Sequence, residues 1–217
     1  MNRSELSQIE RIFYPGWLMA SQLRGGQEVR DGASLYRQAR RLVEEARTAL
    51  TDAGYSEAQR DHMVYALCAL LDESVLNRGT SDDGYLTWRR DPLQAHFFGT
   101  LNAGEELWER IRTLLKETAP DIAVLTCLYR TVQLGFVGQY RAQDDEHRED
   151  VVRKLGERVP SFQLAMDAPI VTQASRLRTG RRLYWLSWVA GAVLLAGLWF
   201  FLSSSLSGMV NQIIRPG

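Results

Sequence analysis

The chain has 217 residues, of which 45% are hydrophobic and 24% are charged, and this composition is typical of a folded protein rather than a disordered one. Its 26 basic and 26 acidic residues cancel, which argues against a protein that mainly neutralises nucleic-acid phosphates. Two cysteines and three histidines exclude a disulfide-dense secreted scaffold and a zinc module with several cysteine ligands.

The N-terminal part of the chain predicts an almost entirely helical domain. Over Asp31–Leu50, apolar residues recur every three or four positions, as on one face of a helix. Ser56 and Gln59 then have the spacing of a capping box, which predicts the start of a second helix. The centre of this helix, residues 63–71, is apolar on every face. We therefore expect it to be the buried central helix of a bundle.

Further helices are predicted beyond a region that is rich in turn residues. Residues 78–100 contain three glycines and one proline, and we interpret them as loops and short helices. Asn102 and Glu105 predict another capped helix start, and the next helix is expected to begin near Pro120. A final amphipathic helix is predicted over residues 146–158. Because no alternating strand pattern extends beyond a few residues, the fold class is predicted to be all-α.

Two adjacent carboxylates, Asp72 and Glu73, directly follow the apolar run. They lie near the C-terminal end of their helix, where the helix dipole disfavours negative charge. We expect a cation to compensate them, either Arg78 or an arginine from another helix. Three interpretations remain open: a structural ion pair or cap, a partner-binding acidic site, and a catalytic dyad. Adjacent helical residues point about 100° apart, so they do not naturally share one proton or one metal ion.

The segment LGFVGQYR, residues 134–141, places two glycines inside an otherwise helical pattern. Each glycine costs about 1 kcal/mol relative to alanine in a helix, which close helix packing or a break would offset. The segment lacks the strand-turn-helix context of a nucleotide fingerprint. The histidines show no metal-ligand spacing, and we expect neither a metal nor another cofactor. Cys68 and Cys127 are expected to be free core thiols.

The strongest signal is an uncharged C-terminal segment, Leu183–Leu206. Its densest stretch is about 20 residues long, which spans roughly 30 Å as a helix and matches the hydrocarbon core of a bilayer. Aromatic residues flank it at both ends, as in interfacial belts. A buried helix of a soluble protein is the alternative. The anchor residues that we single out are Tyr184, Trp185, Trp188, Gly191, Ala192, Ala196 and Trp199.

The flanking charges predict the orientation of this segment. Four arginines precede it within residues 171–182, and only Arg215 follows it, so the positive-inside rule keeps the N-terminal part in the cytoplasm. We expect a cytoplasmic domain over residues 1–170, a basic juxtamembrane linker over 171–182, a transmembrane helix over 183–206 and a short tail over 207–217. Small residues at four-residue spacing inside the span allow close helix association, either in a homodimer or with another membrane protein.

Three segments together resemble the TssL/DotU (IcmH) family. They are residues 65–73 (YALCALLDE), residues 97–108 (which begin FF and end GEELW) and residues 134–141 (LGFVGQYR). Their order and spacing and the C-terminal anchor agree with this family over about residues 5–205. The resemblance implies an inner-membrane subunit of a bacterial type VI secretion system or of its type IVb counterpart.

The resemblance also implies a fold and partners. The expected cytoplasmic domain is a hook-like bundle of about seven or eight helices in two sub-bundles. It would join a TssM/IcmF-like inner-membrane protein and the lipoprotein TssJ, and would dock the cytoplasmic baseplate through a TssK-like protein. The tail over 207–217 would be periplasmic and is too short for the peptidoglycan-binding domain of some relatives. Such a scaffold would not be an enzyme.

The resemblance assigns roles to particular residues. Asp72 and Glu73 fall on the family's acidic pair beside a cleft between helices. Together with Asp82 and Asp83 in the following loop, they are our candidate partner-binding residues. The loop over residues 74–88 departs from the family pattern, which leaves its contacts open. The second motif, with an expected packing role, comprises Gly135, Phe136, Gly138, Tyr140 and Arg141.

Two alternative functions are carried forward. A membrane-tethered enzyme would use Asp72 and Glu73 with a divalent metal, and would need a third ligand that the helical spacing does not supply. A tail-anchored helical regulator would instead expose a large apolar groove for a partner helix.

Overall fold

The computed structural model of the chain describes residues 3–140 and 144–160. Several predictions fall outside these ranges: the linker over 171–182, the transmembrane helix over 183–206, the tail over 207–217 and the motif residue Arg141. Among the described helices, none combines the length and the apolar character needed to cross a bilayer. The anchor residues that lie outside the described ranges are Tyr184, Trp185, Trp188, Gly191, Ala192, Ala196 and Trp199.

Within the described residues, the regular structure is entirely helical, which confirms the predicted fold class. The hook-like arrangement in two sub-bundles stays a prediction. The helices are α1 (Arg3–Arg24), α2 (Gly32–Asp52), α3 (Glu57–Leu76), α4 (Asp83–Trp88), α5 (Leu93–Phe98), α6 (Ala103–Lys116), α7 (Ile122–Gln133) and α8 (Glu146–Arg158).

Helix α3 is the centre of the bundle, as its apolar character predicts. Every residue from Met63 to Asp72 is buried. The helix packs against α1, α2, α4, α5, α6 and α7, so its side chains meet other helices on all sides. Cys68 on α3 and Cys127 on α7 are buried free thiols, as expected. Burial raises the pKa of both thiols, which keeps them protonated at neutral pH.

The helices begin where the sequence predicts, but the side chain that caps the helix is not always the predicted one. Ser56 and Gln59 form the complete capping box at the start of α3. Asn102 is the N-cap residue of α6, as predicted, but its side chain makes no cap hydrogen bond. The side chain of Gln94 accepts the Ala103 N–H instead, at 2.7 Å. A tertiary contact has thus replaced the local cap.

The capping box of α3 yields a stability prediction. Replacing Ser56 by alanine is expected to lower the free energy of unfolding by about 1 kcal/mol, because the Gln59 N–H loses its acceptor. Chemical denaturation of the purified chain, followed by circular dichroism, measures this change. The control is Ser34→Ala in the first turn of α2, where Asp31 and not Ser34 provides the cap. The control should change stability by less than about 0.5 kcal/mol, and equal losses in the two variants would contradict the prediction.

Candidate partner-binding site

Asp72 is buried, with 2% of its surface exposed, and its carboxylate caps a neighbouring helix. One oxygen accepts the indole N–H of Trp88 at 2.7 Å and the backbone N–H of Leu93 at 2.8 Å. The other accepts the backbone N–H of Gln94 at 2.9 Å. These two backbone donors belong to the first turn of α5, whose own N-cap residue, Pro92, has no side-chain hydrogen bond to offer. Asp72 therefore lies at the unfavourable end of α3 but at the favourable end of α5.

Burial is the main influence on the protonation of Asp72. It raises the pKa of the carboxyl group to about 6, although the N–H groups of Gln94, Leu93 and Trp88 oppose the rise. Because this pKa lies above the usual 3.8, the folded chain holds the proton more tightly than the unfolded chain does. The contribution of Asp72 to stability therefore decreases as the pH rises from about 4 to about 6.

Glu73 binds a cation from another helix and two backbone N–H groups. Only 8% of its side chain is exposed, and Oε1 accepts a hydrogen bond from the Arg24 guanidinium of α1 at 2.6 Å. The N–H of Val137 lies 2.9 Å from Oε1, and the N–H of Gly138 lies 2.7 Å from Oε2. Of the two compensating cations that the sequence left open for the pair, the arginine from another helix is the one that binds Glu73, whereas Arg78 binds elsewhere.

The segment that Glu73 binds is a turn after α7, so the two glycines break the helix. Helix α7 ends at Gln133, and Gly135 and Gly138 have φ angles of 101° and 61°. These values lie in the left-handed region that favours glycine. Gly138 also approaches α6 closely, because a Cβ atom there would lie 2.5 Å from the carbonyl oxygen of Gly104. Both features that were expected to offset the cost of the two glycines, a helix break and close helix packing, are therefore present in this turn.

Arg148 of α8 holds the other side of the same turn. It is 7% exposed, and its guanidinium donates to the carbonyl oxygens of Val132 at 3.0 Å and Phe136 at 3.1 Å. Phe136 is buried beside Trp108 of α6, and the Tyr140 ring meets Trp108 edge-on at 4.8 Å. The packing role predicted for this motif fits these contacts. A charged residue on an amphipathic helix is usually exposed, so the sequence contained no signal for Arg148.

Asp82 is the N-cap residue of α4 and an internal ion-pair partner. Its carboxylate accepts the N–H groups of Tyr85 and Val29, both at 3.0 Å. The Arg78 guanidinium contacts both carboxylate oxygens, at 2.8 and 3.0 Å. Burial raises the pKa of Asp82, but these hydrogen bonds and the Arg78 charge outweigh it and hold the pKa below its usual value. Asp82 therefore anchors the start of α4 to the segment before α2.

Asp83 differs from the other three candidate residues because it is exposed. Its carboxylate accepts the N–H of Gly32, the first residue of α2, at 2.6 Å. Every one of the four predicted partner-binding carboxylates thus makes a hydrogen bond inside the chain. Their role in binding a partner stays a prediction, and Asp83 is the one whose side chain solvent reaches most readily.

A cleft of about 320 Å³ lies beside Glu73, between the C-terminal ends of α1 and α3. Its wall contains both cationic and anionic side chains. Within the described ranges, no group of three or more histidine, cysteine, aspartate or glutamate residues could hold a metal ion. The residues that line the cleft are Leu23, Arg24, Gly26, Gln27, Glu28, Glu73, Ser74, Asn77, Arg78 and Thr80.

Removal of the Asp72 carboxylate is expected to destabilise the protein strongly. The variant Asp72→Ala leaves three buried N–H donors without an acceptor, and we expect a loss of about 3–5 kcal/mol in the free energy of unfolding. Chemical denaturation measures the loss. Asp52→Ala, at an exposed aspartate at the end of α2, serves as the control and should stay within about 0.5 kcal/mol of the wild type. A small loss for Asp72→Ala would show that its hydrogen bonds are dispensable.

The close contact at Gly138 allows conformation and packing to be separated. Gly138→Ala should lower stability by about 2 kcal/mol or more, because alanine must adopt a positive φ and also meet the Gly104 carbonyl. Gly79→Ala is the matched control, since Gly79 has a φ of 71° but no atom within 4 Å of an added Cβ. The comparison uses the midpoint of thermal unfolding. If both variants lose the same stability, the contact with Gly104 has no energetic role.

Comparison with known proteins places this site in a family. The family model described as "Type VI secretion system protein DotU" matches residues 8–205. The crystal structure of the type VI secretion protein SciP/TssL from enteroaggregative Escherichia coli 042 is 66% identical, with a TM-score of 0.65, and the match covers 78% of this chain and 98% of that one.

A second structure, the cytoplasmic domain of TssL from Acinetobacter baumannii, shares the fold at 23% identity and a TM-score of 0.62, over 69% of this chain and 95% of that one. No curated protein matches the sequence. The family match spans most of the chain and includes the acidic pair, the glycine turn and the uncharged C-terminal segment. The chain belongs to the DotU family of type VI secretion system proteins.

Proposed function

We propose that the protein is a non-enzymatic scaffold of a bacterial type VI secretion system, anchored in the inner membrane by its C-terminal segment. The observation that carries the proposal is the family match over residues 8–205, which contains both the helical domain and most of the uncharged segment 183–206. The 66% identity to SciP/TssL over 78% of the chain supports the same assignment.

The topology follows from the charges around the anchor. Four arginines before the segment and one after it favour an N-terminal domain in the cytoplasm and a short tail in the periplasm. A single helix of about 20 apolar residues then spans the lipid bilayer. The small-residue pairs around Gly191 and Ala196 favour a homodimer through this helix.

The proposed mechanism is positional. An anchor confines the helical domain to the membrane surface, which raises its effective concentration near other anchored subunits. Weak contacts with a TssM/IcmF-like inner-membrane protein, with the lipoprotein TssJ and with a TssK-like baseplate protein then suffice for assembly. Asp72, Glu73, Asp82 and Asp83 remain our candidate docking residues. We infer that Asp72, Glu73 and Asp82 hold the loops in place, because each accepts several internal hydrogen bonds. The exposed Asp83 then presents its charge to a partner.

The two alternative functions have less support. A metal-dependent enzyme needs a third ligand, and the carboxylates of Asp72 and Glu73 are both occupied by N–H donors and Arg24. A regulator with a partner-helix groove needs a large apolar surface. The groove of about 750 Å³ between α6 and α8 contains Leu115, Tyr140 and Val151, but charged residues also line both of its sides, among them Arg112, Lys116 and Asp150.

Affinity purification from membranes tests the proposal. The tagged full-length chain, expressed in cells that carry the secretion genes, is expected to require detergent for extraction and to co-elute with an inner-membrane partner and a baseplate protein. Asp83→Asn keeps an oxygen for the Gly32 N–H and removes only the charge, so it should reduce co-elution of the baseplate protein several-fold. Asp52→Asn, at an exposed aspartate on α2, is the matched control and should leave co-elution unchanged.

Two results would overturn the proposal. One is extraction of the chain without detergent, which would show that the C-terminal segment does not anchor it in the membrane. The other is a wild-type chain that elutes without any subunit of the secretion system. Equal co-elution from wild type and Asp83→Asn would remove Asp83 from the docking surface without removing the scaffold role.

A further inference from the structure

The charge of Glu73 acts on two arginines from opposite ends of the described chain. Arg24 of α1 contacts its carboxylate directly at 2.6 Å. Arg148 of α8 feels the same negative charge, because burial lowers the pKa of Arg148 and the Glu73 charge opposes that change. Arg24 and Arg148 also repel each other weakly. The carboxylate of Glu73 therefore balances two cations that belong to different helices.

The turn over residues 135–138 connects this charge group to α8 mechanically. On one side, the N–H groups of Val137 and Gly138 donate to Glu73. On the other side, the carbonyl of Phe136 accepts from Arg148. A change at Glu73 therefore reaches α8 through one short segment of backbone, as well as through charge.

The contacts that run from Arg24 through Glu73 and the turn to Arg148 are open to solvent mainly at Arg24. The Arg24 side chain is 25% exposed and lines the cleft of about 320 Å³, whereas the Glu73 side chain is 8% exposed and Arg148 is 7% exposed. A solute in the cleft can reach Arg24 without disturbing the turn or α8. The accessible contact is thus the ion pair between Arg24 and Glu73.

A carboxylate is the group that can replace Glu73 as the partner of Arg24, because it carries the same charge and the same acceptor atoms. The other arginine of the wall, Arg78, is 6% exposed, and its guanidinium is bound by Asp82 and by the carbonyls of Gln27 and Val75. The exposed Glu28 at the rim pairs with Arg30 at 3.4 Å. Arg24, which donates to Ser74 as well as to Glu73, is the more exposed arginine of this wall and therefore the one that an incoming acidic group can contact.

Loss of Arg24 would leave Glu73 with a largely buried and poorly compensated charge. The carboxylate would then move toward the cleft, and the N–H groups of Val137 and Gly138 would lose part of their acceptor. An unsatisfied N–H in a partly buried turn is costly, so the turn opens more often.

We propose that the Arg24–Glu73 ion pair is a releasable contact: an acidic group of a docked partner takes Arg24, and the release of Glu73 loosens the 135–138 turn and the packing of α8. This inference rests on the proposed docking function and assigns a regulatory step to the same cleft. Helix α8 is the last described helix before the predicted anchor in the sequence. We call this series of contacts, from Arg24 through Glu73 and the 135–138 turn to α8, the relay. It connects the cleft beside Glu73 with the last described helix before the predicted membrane segment.

Hydrogen–deuterium exchange of the full-length chain in detergent tests the relay. In Arg24→Gln, amides in residues 134–140 and in α8 should exchange about tenfold faster or more than in the wild type, while α2 stays unchanged. Arg24→Lys keeps the charge and should remain close to the wild type. Arg30→Gln is the matched control at a nearby arginine whose side chain is 86% exposed, and it should change neither segment.

A second measurement keeps the test decisive if Arg24→Gln fails to fold. Glu73→Gln removes the charge and replaces one of the two acceptor oxygens by an amide NH2 group, so it weakens the Arg24 contact and the hydrogen bonds of the turn. It should therefore also accelerate exchange in α8. In the wild type, tri-glutamate peptide at saturating concentration should accelerate exchange in the turn and α8, whereas tri-lysine should not.

The inference is overturned if faster exchange in Arg24→Gln stays confined to the ends of α1 and α3. It is equally overturned if tri-glutamate leaves α8 unchanged. The membrane purification described above uses the wild-type chain and Asp83, so it can fail independently of the relay. A failed relay with intact co-elution leaves the scaffold role in place, and an intact relay without co-elution refutes the docking role alone.

Discussion

The arrangement of the described helices depends on two adjacent carboxylates at the end of the buried helix α3. Asp72 takes N–H donors from the first turn of α5 and the indole of Trp88, and Glu73 takes donors from the turn after α7 and from Arg24 of α1. Each carboxylate is poorly placed with respect to the dipole of its own helix. Neighbouring segments point their N–H groups at each carboxylate and offset part of the cost of its burial. The end of α3 is thereby tied to α1, α4, α5 and the segment that leads to α8.

This arrangement changes how the acidic pair relates to function. A carboxylate that accepts three internal hydrogen bonds, as Asp72 does, is a poor direct contact for a partner, because a new contact would have to replace bonds that are already made. Glu73 accepts as many internal hydrogen bonds as Asp72 and is 8% exposed, so Asp83 is the exposed candidate for direct binding. If these residues form the proposed docking surface, its affinity for a partner depends on the conformation of the loops. Substitution of an acidic residue therefore affects stability and binding together unless the variant keeps the hydrogen-bond acceptor.

Two arginines that carried no sequence signal make contacts at the site: Arg24 binds Glu73, and Arg148 binds the turn after α7. Arg24 precedes Glu73 by 49 positions, at the end of a helix that contains Pro15 and a charged N-terminal stretch. Arg148 lies in a helix whose charged residues look like a solvent-exposed face. Arginine is common on helix surfaces, so neither position stands out until the fold brings it to a buried acceptor. The cap of α6 follows the same pattern, because the local signal at Asn102 is replaced by the distant side chain of Gln94.

The sequence by itself determined the helical class, the central position of α3, the capping box at Ser56 and the location of the acidic and glycine motifs. These features depend on local periodicity and on residues within one helical turn, which the order of amino acids records directly. The tertiary structure alone decided which cation faces Glu73, that Asp72 caps α5, and that the two glycines form a turn held from both sides. Those outcomes depend on which N–H groups and charges meet after the chain has packed, and contacts between distant positions leave no periodic trace in a single sequence.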